Sequence, residues 1–245
     1  MRLDGKVAVI TGADRGIGRA TVATFLTDGA RVVAADLGPT GCAEYADDPR
    51  VAIVFGDVSV RADAERIIAT ALERFGRLDV LVNNAGIVDR FLPVGELTDE
   101  LWNRVLAVNL TGPMLLARAA MPHLIASKGV VVNISSVGGL FGARAGAAYV
   151  SSKHGLIGLT KNIAATYASE GVRAVAVAPG GVNTGIGLGG EPSPRGLAAL
   201  NKTLAANVRL AEPSEIASVV AFAASSDASF VNGEVLVVDG GWTAY

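Results

Sequence analysis

The feature that most constrains this 245-residue chain is a series of short apolar runs that do not alternate with polar residues. Val7–Thr11, Arg31–Asp36, Val51–Phe55, Leu78–Asn83, Gly129–Ser135, Val172–Ala178 and Val235–Val238 are apolar at nearly every position and rich in β-branched residues. A strand with one wet face alternates, whereas an unalternated strand is covered on both faces, as in a parallel sheet flanked by helices. Between the runs lie stretches that read as amphipathic helices: Ile17–Thr27, Arg61–Phe75, Asp99–Ser127, Ala147–Ser169 and Ser214–Ser225. Thr98 is expected to cap the third of these, and Pro213-Ser214-Glu215 to start the last. Gly29, Gly76, Gly129 and Gly171 stand where helix ends call for left-handed backbone. This alternation predicts an α/β fold in a single domain over 1–245: one doubly wound sheet of about seven parallel strands with helices on both faces. The stretch 180–212, rich in Gly, Pro and Leu, is expected to be irregular. Within it, 185–210 is expected to be a substrate-binding lid that orders only over ligand.

Composition narrows the function classes. With 51% hydrophobic and 18% charged residues the chain has ample material for a core and does not read as disordered. A formal charge of −2 offers no footprint for nucleic acid or an anionic membrane. Cys42 is the sole cysteine and there are two histidines, so neither an intrachain disulfide nor a zinc site is expected. The first residues lack a signal-peptide layout, and no 18 uncharged apolar residues run together. The expectation is a cytoplasmic protein without a membrane span.

Thr11-Gly12-Ala13-Asp14-Arg15-Gly16-Ile17-Gly18 follows the first strand and opens the first helix. Glycines there let the backbone approach a pyrophosphate, whose charge is met by the free N–H groups and dipole of the helix N-terminus. Asp36 ends the second strand, 18 positions after Gly18, where a carboxylate can accept hydrogen bonds from an adenosine ribose diol. A turn aspartate before Gly38-Pro39 is the structural alternative. Arg15 could attract a 2′-phosphate, but a carboxylate at the ribose repels one in a desolvated crevice, so NAD is expected over NADP.

Tyr149 and Lys153 are four residues apart on a helix and share a face. An adjacent ammonium favours a phenolate and is expected to lower the tyrosine pKa toward the range useful for acid/base chemistry. Asn133-Ile134-Ser135-Ser136 and Asn83-Asn84-Ala85-Gly86 leave two central strands at the carboxyl edge, where open α/β sheets bind ligands. Asn109 lies between Val108 and Leu110, an apolar setting in which an amide needs partners.

Taken together, Thr11–Gly18, Asp57-Val58, Asn83–Gly86, Asn109, Ser136, Tyr149-Val-Ser-Ser-Lys153 and Pro179-Gly180-Gly181-Val182-Asn183-Thr184 make the chain resemble the short-chain dehydrogenase/reductases over essentially its whole length. The resemblance implies a Rossmann fold and a reversible hydride transfer between NAD(H) and a secondary alcohol or ketone. It implies that Tyr149 exchanges a proton with the substrate oxygen and that Ser136, thirteen positions earlier, hydrogen-bonds that oxygen, with Ser135 as the alternative. Lys153 would bind the nicotinamide ribose, and Asn109 would hold a water connecting Lys153 to solvent. The cofactor path would run along Gly12, Asp14, Arg15, Gly16, Ile17, Gly18, Asp36, Leu37, Asp57, Val58, Asn84, Ala85, Gly86, Tyr149, Lys153, Pro179, Gly180, Val182 and Thr184. Asp14 in the glycine turn and the second glycine of Pro-Gly-Gly are small departures from the pattern. A homotetramer is also implied.

The segments Val88–Leu92, Val137–Gly142 and Gly185–Leu188 are expected to face the substrate and read as small and apolar, which favours a small uncharged compound. A 3-oxoacyl group on a carrier protein or CoA is the nearest alternative, and a non-catalytic nucleotide sensor a more distant one. His154 and His123 read as ordinary helix residues, Trp102 as packing and Cys42 as an inert thiol. Gly155 and Gly158, costly inside a helix, are expected where another helix packs closely.

Overall fold

The computed structural model describes residues 1–38, 42–204 and 206–244; the Gly38-Pro39 turn and position 205 of the 185–210 stretch reach outside them. The strands are β1 (Val7–Thr11), β2 (Arg31–Asp36), β3 (Val51–Phe55), β4 (Val80–Asn83), β5 (Val130–Ile134), β6 (Arg173–Pro179) and β7 (Val235–Val238). They form one parallel sheet in the order β3-β2-β1-β4-β5-β6-β7. The chain winds outward from β1 to β3, returns to β4 beside β1, and winds outward the other way. The reversal between β1 and β4 opens a crevice at the carboxyl ends of the strands.

The unalternated strands are explained by two cores. In β1, Val7 and Val9 face a layer that includes Ile67, Leu116 and Ile163, while Ala8 and Ile10 face one that includes Phe25, Ile216 and Val220. The first layer is built by α2 (Arg61–Phe75), α4 (Gly112–Ser127) and α5 (Ala147–Tyr167), and the second by α1 (Gly16–Thr27) and α7 (Pro213–Ala224). Both faces of the central strands are therefore dry and every position of β1 is buried, whereas the edge strand β7, expected to be covered on both faces, is only half-buried and leaves Val237 exposed.

Several local expectations need correction. Asp99–Ser127 divides into α3 (Asp99–Leu106), a π-helical turn (Ala107–Thr111) and α4, with Thr98 capping α3 as expected by accepting from the Leu101 N–H at 3.3 Å. By length and mean hydropathy alone the stretch Asp99–Ser127 is apolar enough to cross a membrane, but 56% of its most apolar window is buried within the protein, as in a core helix. Gly29, Gly76 and Gly171 do adopt positive φ, but at the fourth junction the left-handed residue is Lys128, with φ 52°. Gly129 answers a different need: a Cβ there would overlap the Asp79 carbonyl oxygen.

The stretch after β6 is not wholly irregular either, since Pro194–Leu204 forms a helix, α6. The last helix starts at Pro213 as expected, with Glu212 as its N-cap in a reciprocal capping box with Glu215. Of the two helix glycines, Gly155 lies against Leu110, where a Cβ would come within 2.8 Å, whereas Gly158 faces open space.

Candidate active site

The crevice begins at the glycine turn. Gly12 and Gly16 have φ of 64° and 53°, and a Cβ on Gly12 would lie 2.8 Å from the Asn84 amide. A Cβ on Gly18 would overlap the Gly12 carbonyl, so Gly18 lets α1 close against the turn. Across the strand reversal, Thr11 and Asn84 staple the two walls together. The Thr11 hydroxyl accepts from the Asn84 and Ala85 N–H groups at 3.1 Å, and the Asn84 amide donates to the Thr11 and Gly12 carbonyls. Asn84 thus shapes the turn as well as facing the crevice.

Asp36 stands at the end of β2 with its oxygens accepting from the backbone N–H groups of Asp14 (2.9 Å) and Leu37 (2.7 Å). These bonds orient the carboxylate at the mouth of the crevice beside the exposed Leu37. Farther along, Asp57 accepts from the Ser59 N–H and hydroxyl and from the Arg104 guanidinium at 2.9 Å. Burial alone would raise the Asp57 carboxyl; the Ser59 bonds and the Arg104 pair outweigh it and hold the group below the usual range. Arg104 itself faces the crevice and has no place in the sequence reading. Its signal is a side-chain pairing across 47 residues.

At the opposite end Tyr149, Lys153 and Ser136 meet. Lys153 is 4% exposed, its Nζ donates to the Ile134 carbonyl at 2.7 Å and lies 5.5 Å from the centre of the Tyr149 ring. Burial pulls its pKa down to about 8. Burial also pushes the Tyr149 phenol up, the Asp89 charge adds to this, and a hydrogen bond with Ser136 works the other way. The expected lowering of the phenol by Lys153 is thus not what the protein by itself produces. Desolvation by the surrounding low-dielectric wall is the largest influence on the phenol.

The two serines have different work. Ser135 is buried and its hydroxyl donates to the Lys153 carbonyl, whereas Ser136 reaches Tyr149 and accepts from the Gly138 N–H. Asn109 sits in the π turn, fully buried, bonded to the Ile87 N–H and carbonyl and to the Ser152 hydroxyl. A Cβ on Gly86 would lie 3.4 Å from Asn109 Oδ1 and 3.6 Å from Lys153 Nζ, which places both beside that glycine.

Of the residues expected along the site, Gly12, Arg15, Gly16, Ile17, Asp36, Leu37, Asp57, Val58, Asn84, Ala85, Gly86, Ser136, Tyr149, Lys153, Pro179, Gly180, Val182 and Thr184 all line one continuous crevice. Asp14, Gly18 and Asn109 do not line it; they support it from behind. Val88 and Ile186 reach the crevice from the segments expected to face substrate, but the reading of those segments as apolar overlooked Asp89, which is buried beneath Tyr149.

Residues 12–243 match the family described as enoyl-(acyl carrier protein) reductase. The chain is 43% identical to 3beta-hydroxysteroid dehydrogenase 2 of Eggerthella lenta, over 99% of this chain and 96% of that protein. It is 40% identical to a short-chain dehydrogenase/reductase of Talaromyces verruculosus, over 98% of each. The chain is a short-chain dehydrogenase/reductase. The crystal structure of levodione reductase, 35% identical, superposes with a TM-score of 0.89 over the whole of both chains. As a member of this family the protein is an oxidoreductase acting on CH–OH and C=O groups.

Among the described residues no cluster of His, Cys, Asp and Glu could hold a metal ion. Cys42, buried with its sulfur 3.2 Å from the Ala13 carbonyl, has its thiol pushed up to about 11, first by burial and then by the Asp14 and Asp36 charges. It carries no thiolate chemistry at neutral pH. His154 is exposed and bonded to the Val150 carbonyl of its own helix.

Proposed function

We propose that this oxidoreductase interconverts a small, uncharged secondary alcohol and its ketone with NAD(H), using Tyr149 as the acid/base. One observation carries the reading: Tyr149, Ser136 and Lys153 converge at one end of a crevice whose other end is Asp36, with the glycine turn between them. A nicotinamide dinucleotide fits this donor set, because Cβ atoms at Gly12 and Gly16 would fill the cradle and none is present. Gly12, Arg15, Gly16 and Ile17 would hold its pyrophosphate at the N-terminus of α1. Asp36 and Leu37 would hold the adenosine ribose, Asp57, Val58 and Arg104 the adenine, and Asn84 to Gly86, Lys153, Pro179, Gly180, Val182 and Thr184 the remainder. Bound there, the nicotinamide supplies or takes up the hydride.

Ser136 and Tyr149 together would grip the reacting oxygen, and Tyr149 would give or take the proton on it. Its raised phenol stays protonated at neutral pH in the free protein, ready to donate toward a ketone. A protonated Lys153 would donate to ribose hydroxyls on the same wall. Val88 and Ile186 offer the substrate apolar surface, which supports an uncharged compound. The family description names an acyl-carrier substrate, so a 3-oxoacyl group is the second reading. A cytoplasmic location belongs to the same proposal, since free NAD(H) is held inside cells.

The test is a panel containing 2,3-butanediol, cyclohexanol, a 3β-hydroxysteroid and acetoacetyl-CoA, followed by NADH and NADPH absorbance. Turnover of a simple alcohol with NAD is expected. Turnover of acetoacetyl-CoA alone, with NADPH preferred, would favour the second reading.

A further inference from the structure

Two carboxylates, Asp79 and Asp89, are almost wholly buried among the described residues. Lys6 and Arg77 pair with Asp79. Asp89 is 0% exposed and, among the described residues, no cation reaches it within ion-pair distance. Its oxygens accept instead from the N–H groups of Gly146, at 3.1 Å, and of Tyr149, at 2.8 Å.

These are the orphan donors of the first turn of α5. Gly146 is the N-cap and Tyr149 the third helical residue, so the Tyr149 N–H is the donor that an N-cap side chain ordinarily satisfies. Gly146 has no side chain, and a Cβ there would overlap the Asp89 carboxylate. Asp89 therefore caps α5 from a separate segment, at the amide of the reacting tyrosine. The N-terminal dipole of a 21-residue helix supplies the positive field that this anion otherwise lacks.

The two residues after Asp89 are left-handed without being glycine, Arg90 at φ 57° and Phe91 at φ 58°. Such backbone is strained for a residue with a Cβ and persists where the surroundings over-determine it. The surroundings here are α5 and α6. The Leu92 carbonyl accepts from the Ala147 N–H, and the Arg90 carbonyl accepts from the Ser193 N–H, both at 2.9 Å. Gly196 of α6 packs so closely on the Phe91 carbonyl that a Cβ would overlap it, and Ser193 donates to Glu96 at 2.7 Å.

We propose that Asp89 is a positioning residue for Tyr149, and that the Arg90-Phe91 turn makes the placement of that tyrosine depend on the docking of α6. The proposal rests on Tyr149 being the acid/base. Asp89 touches neither substrate nor cofactor; it acts through the backbone that carries the phenol. Its removal should lower kcat and leave the dinucleotide end of the crevice as it was.

The test uses Asp89→Ala, Asp89→Asn and, as a control, Tyr149→Phe in the full chain. The measurements are NADH affinity by fluorescence and kcat on the best compound of the panel. Asp89→Ala should lose about 100-fold in kcat, the effect of roughly 1 Å of misplacement, with the Kd for NADH changed less than about threefold. Asp89→Asn, which keeps one acceptor and is a good cap, should recover to within about tenfold of the native enzyme. If the alanine variant does not fold, the asparagine variant carries the test with its partial loss of kcat and unchanged NADH affinity. Native-like kcat in the folded variants, or equal losses of kcat and NADH affinity, would overturn the proposal. Should Tyr149→Phe keep its activity, the acid/base reading fails instead.

Amide hydrogen exchange tests the coupling without any substrate. Asp89→Asn should speed exchange both at 146–149 and at 193–204. Acceleration confined to 146–149 would overturn the link to α6.

Discussion

Lys153 shows how burial sets the working range of a single residue. Its pKa near 8 means that the free protein carries an ammonium at neutral pH and a neutral amine at pH 9. A charged donor to a ribose hydroxyl contributes roughly 1.5–3 kcal/mol, about tenfold or more in affinity. NADH binding should therefore weaken as pH rises through about 8, and Lys153→Ala should bind more weakly without that pH dependence; titrations at pH 6.5 to 9.5 check both. Tyr149 is the complementary case. Tyr149→Phe removes the proton donor but not the wall, so turnover should fall by about 100- to 10,000-fold while NADH affinity stays nearly unchanged. At the other end of the crevice, Asp36→Ala should weaken NADH and relieve the repulsion of NADPH. Adding Leu37→Arg should go further, because a guanidinium matches a phosphate in geometry and charge. The kcat/KM ratio for the two cofactors reads the switch, and a native enzyme that already prefers NADPH would mean that Arg15 outweighs Asp36.

At the scale of elements, the site depends on how closely α1 and the β4 loop approach the glycine turn. A side chain at Gly18 has nowhere to go, since it would overlap the Gly12 carbonyl and press on the Asn84 amide, which is itself tied to the Thr11 and Gly12 carbonyls. Gly18→Ala should cost about 1–3 kcal/mol through overpacking and displace the first turn of α1. Loss of NADH affinity together with a lowered Tm is the expected outcome, and native-like binding would show that the turn can yield. The 185–210 segment, which we propose as a lid, carries the helix α6 within it. Gly185, Gly187, Gly189 and Gly190 precede α6, whereas Ser193 and Gly196 tie the helix to the 90–96 turn. Limited proteolysis should cut before α6, and cofactor with a substrate analogue should slow that cleavage.

Over the whole molecule, an ion cluster ties together the amino ends of the two central strands. Asp79, at the entry to β4, accepts from the Val7 N–H of β1 and from Arg77 and Lys6. Burial alone would raise its carboxyl, but the bonds from Arg77, Val7 and Lys6 outweigh it and hold the group low. A carboxyl depressed in the folded state stabilises it above the unfolded value of about 3.9, and that contribution is lost as pH falls through the folded value. Asp79→Asn should therefore lower stability at neutral pH by roughly 1.5–3 kcal/mol, the loss of charge-assisted hydrogen bonds, because Lys6 and Arg77 are half-exposed and water solvates them once the carboxylate is gone. It should also flatten the acid limb of the denaturation curve below about pH 4. We further propose a homotetramer. Among the described residues β7 pairs on one side only, and Phe230 just before it is fully exposed, so a bare sheet edge and an aromatic side chain are available to another copy. Sedimentation at micromolar concentration should show four copies; a stable monomer would refute it.

Periodicity made the sheet legible in advance, because a strand dry on both faces and a helix dry on one leave marks within a few residues of each other. The glycine turn, Asp36, and the Tyr149 and Lys153 pair were legible for the same reason: each is a local spacing tied to a strand end or a helix face. What only the tertiary structure decided are pairings between distant segments. Asp57 finds Arg104 47 residues away, and Asp89 reaches the Tyr149 amide across 60. Lys128 takes the left-handed turn because Gly129 is needed against Asp79, a contact that no pattern within the helix records. The direction of the Tyr149 shift belongs here too. It depends on how much water the assembled walls exclude, and desolvation is a property of the folded crevice rather than of any stretch of chain.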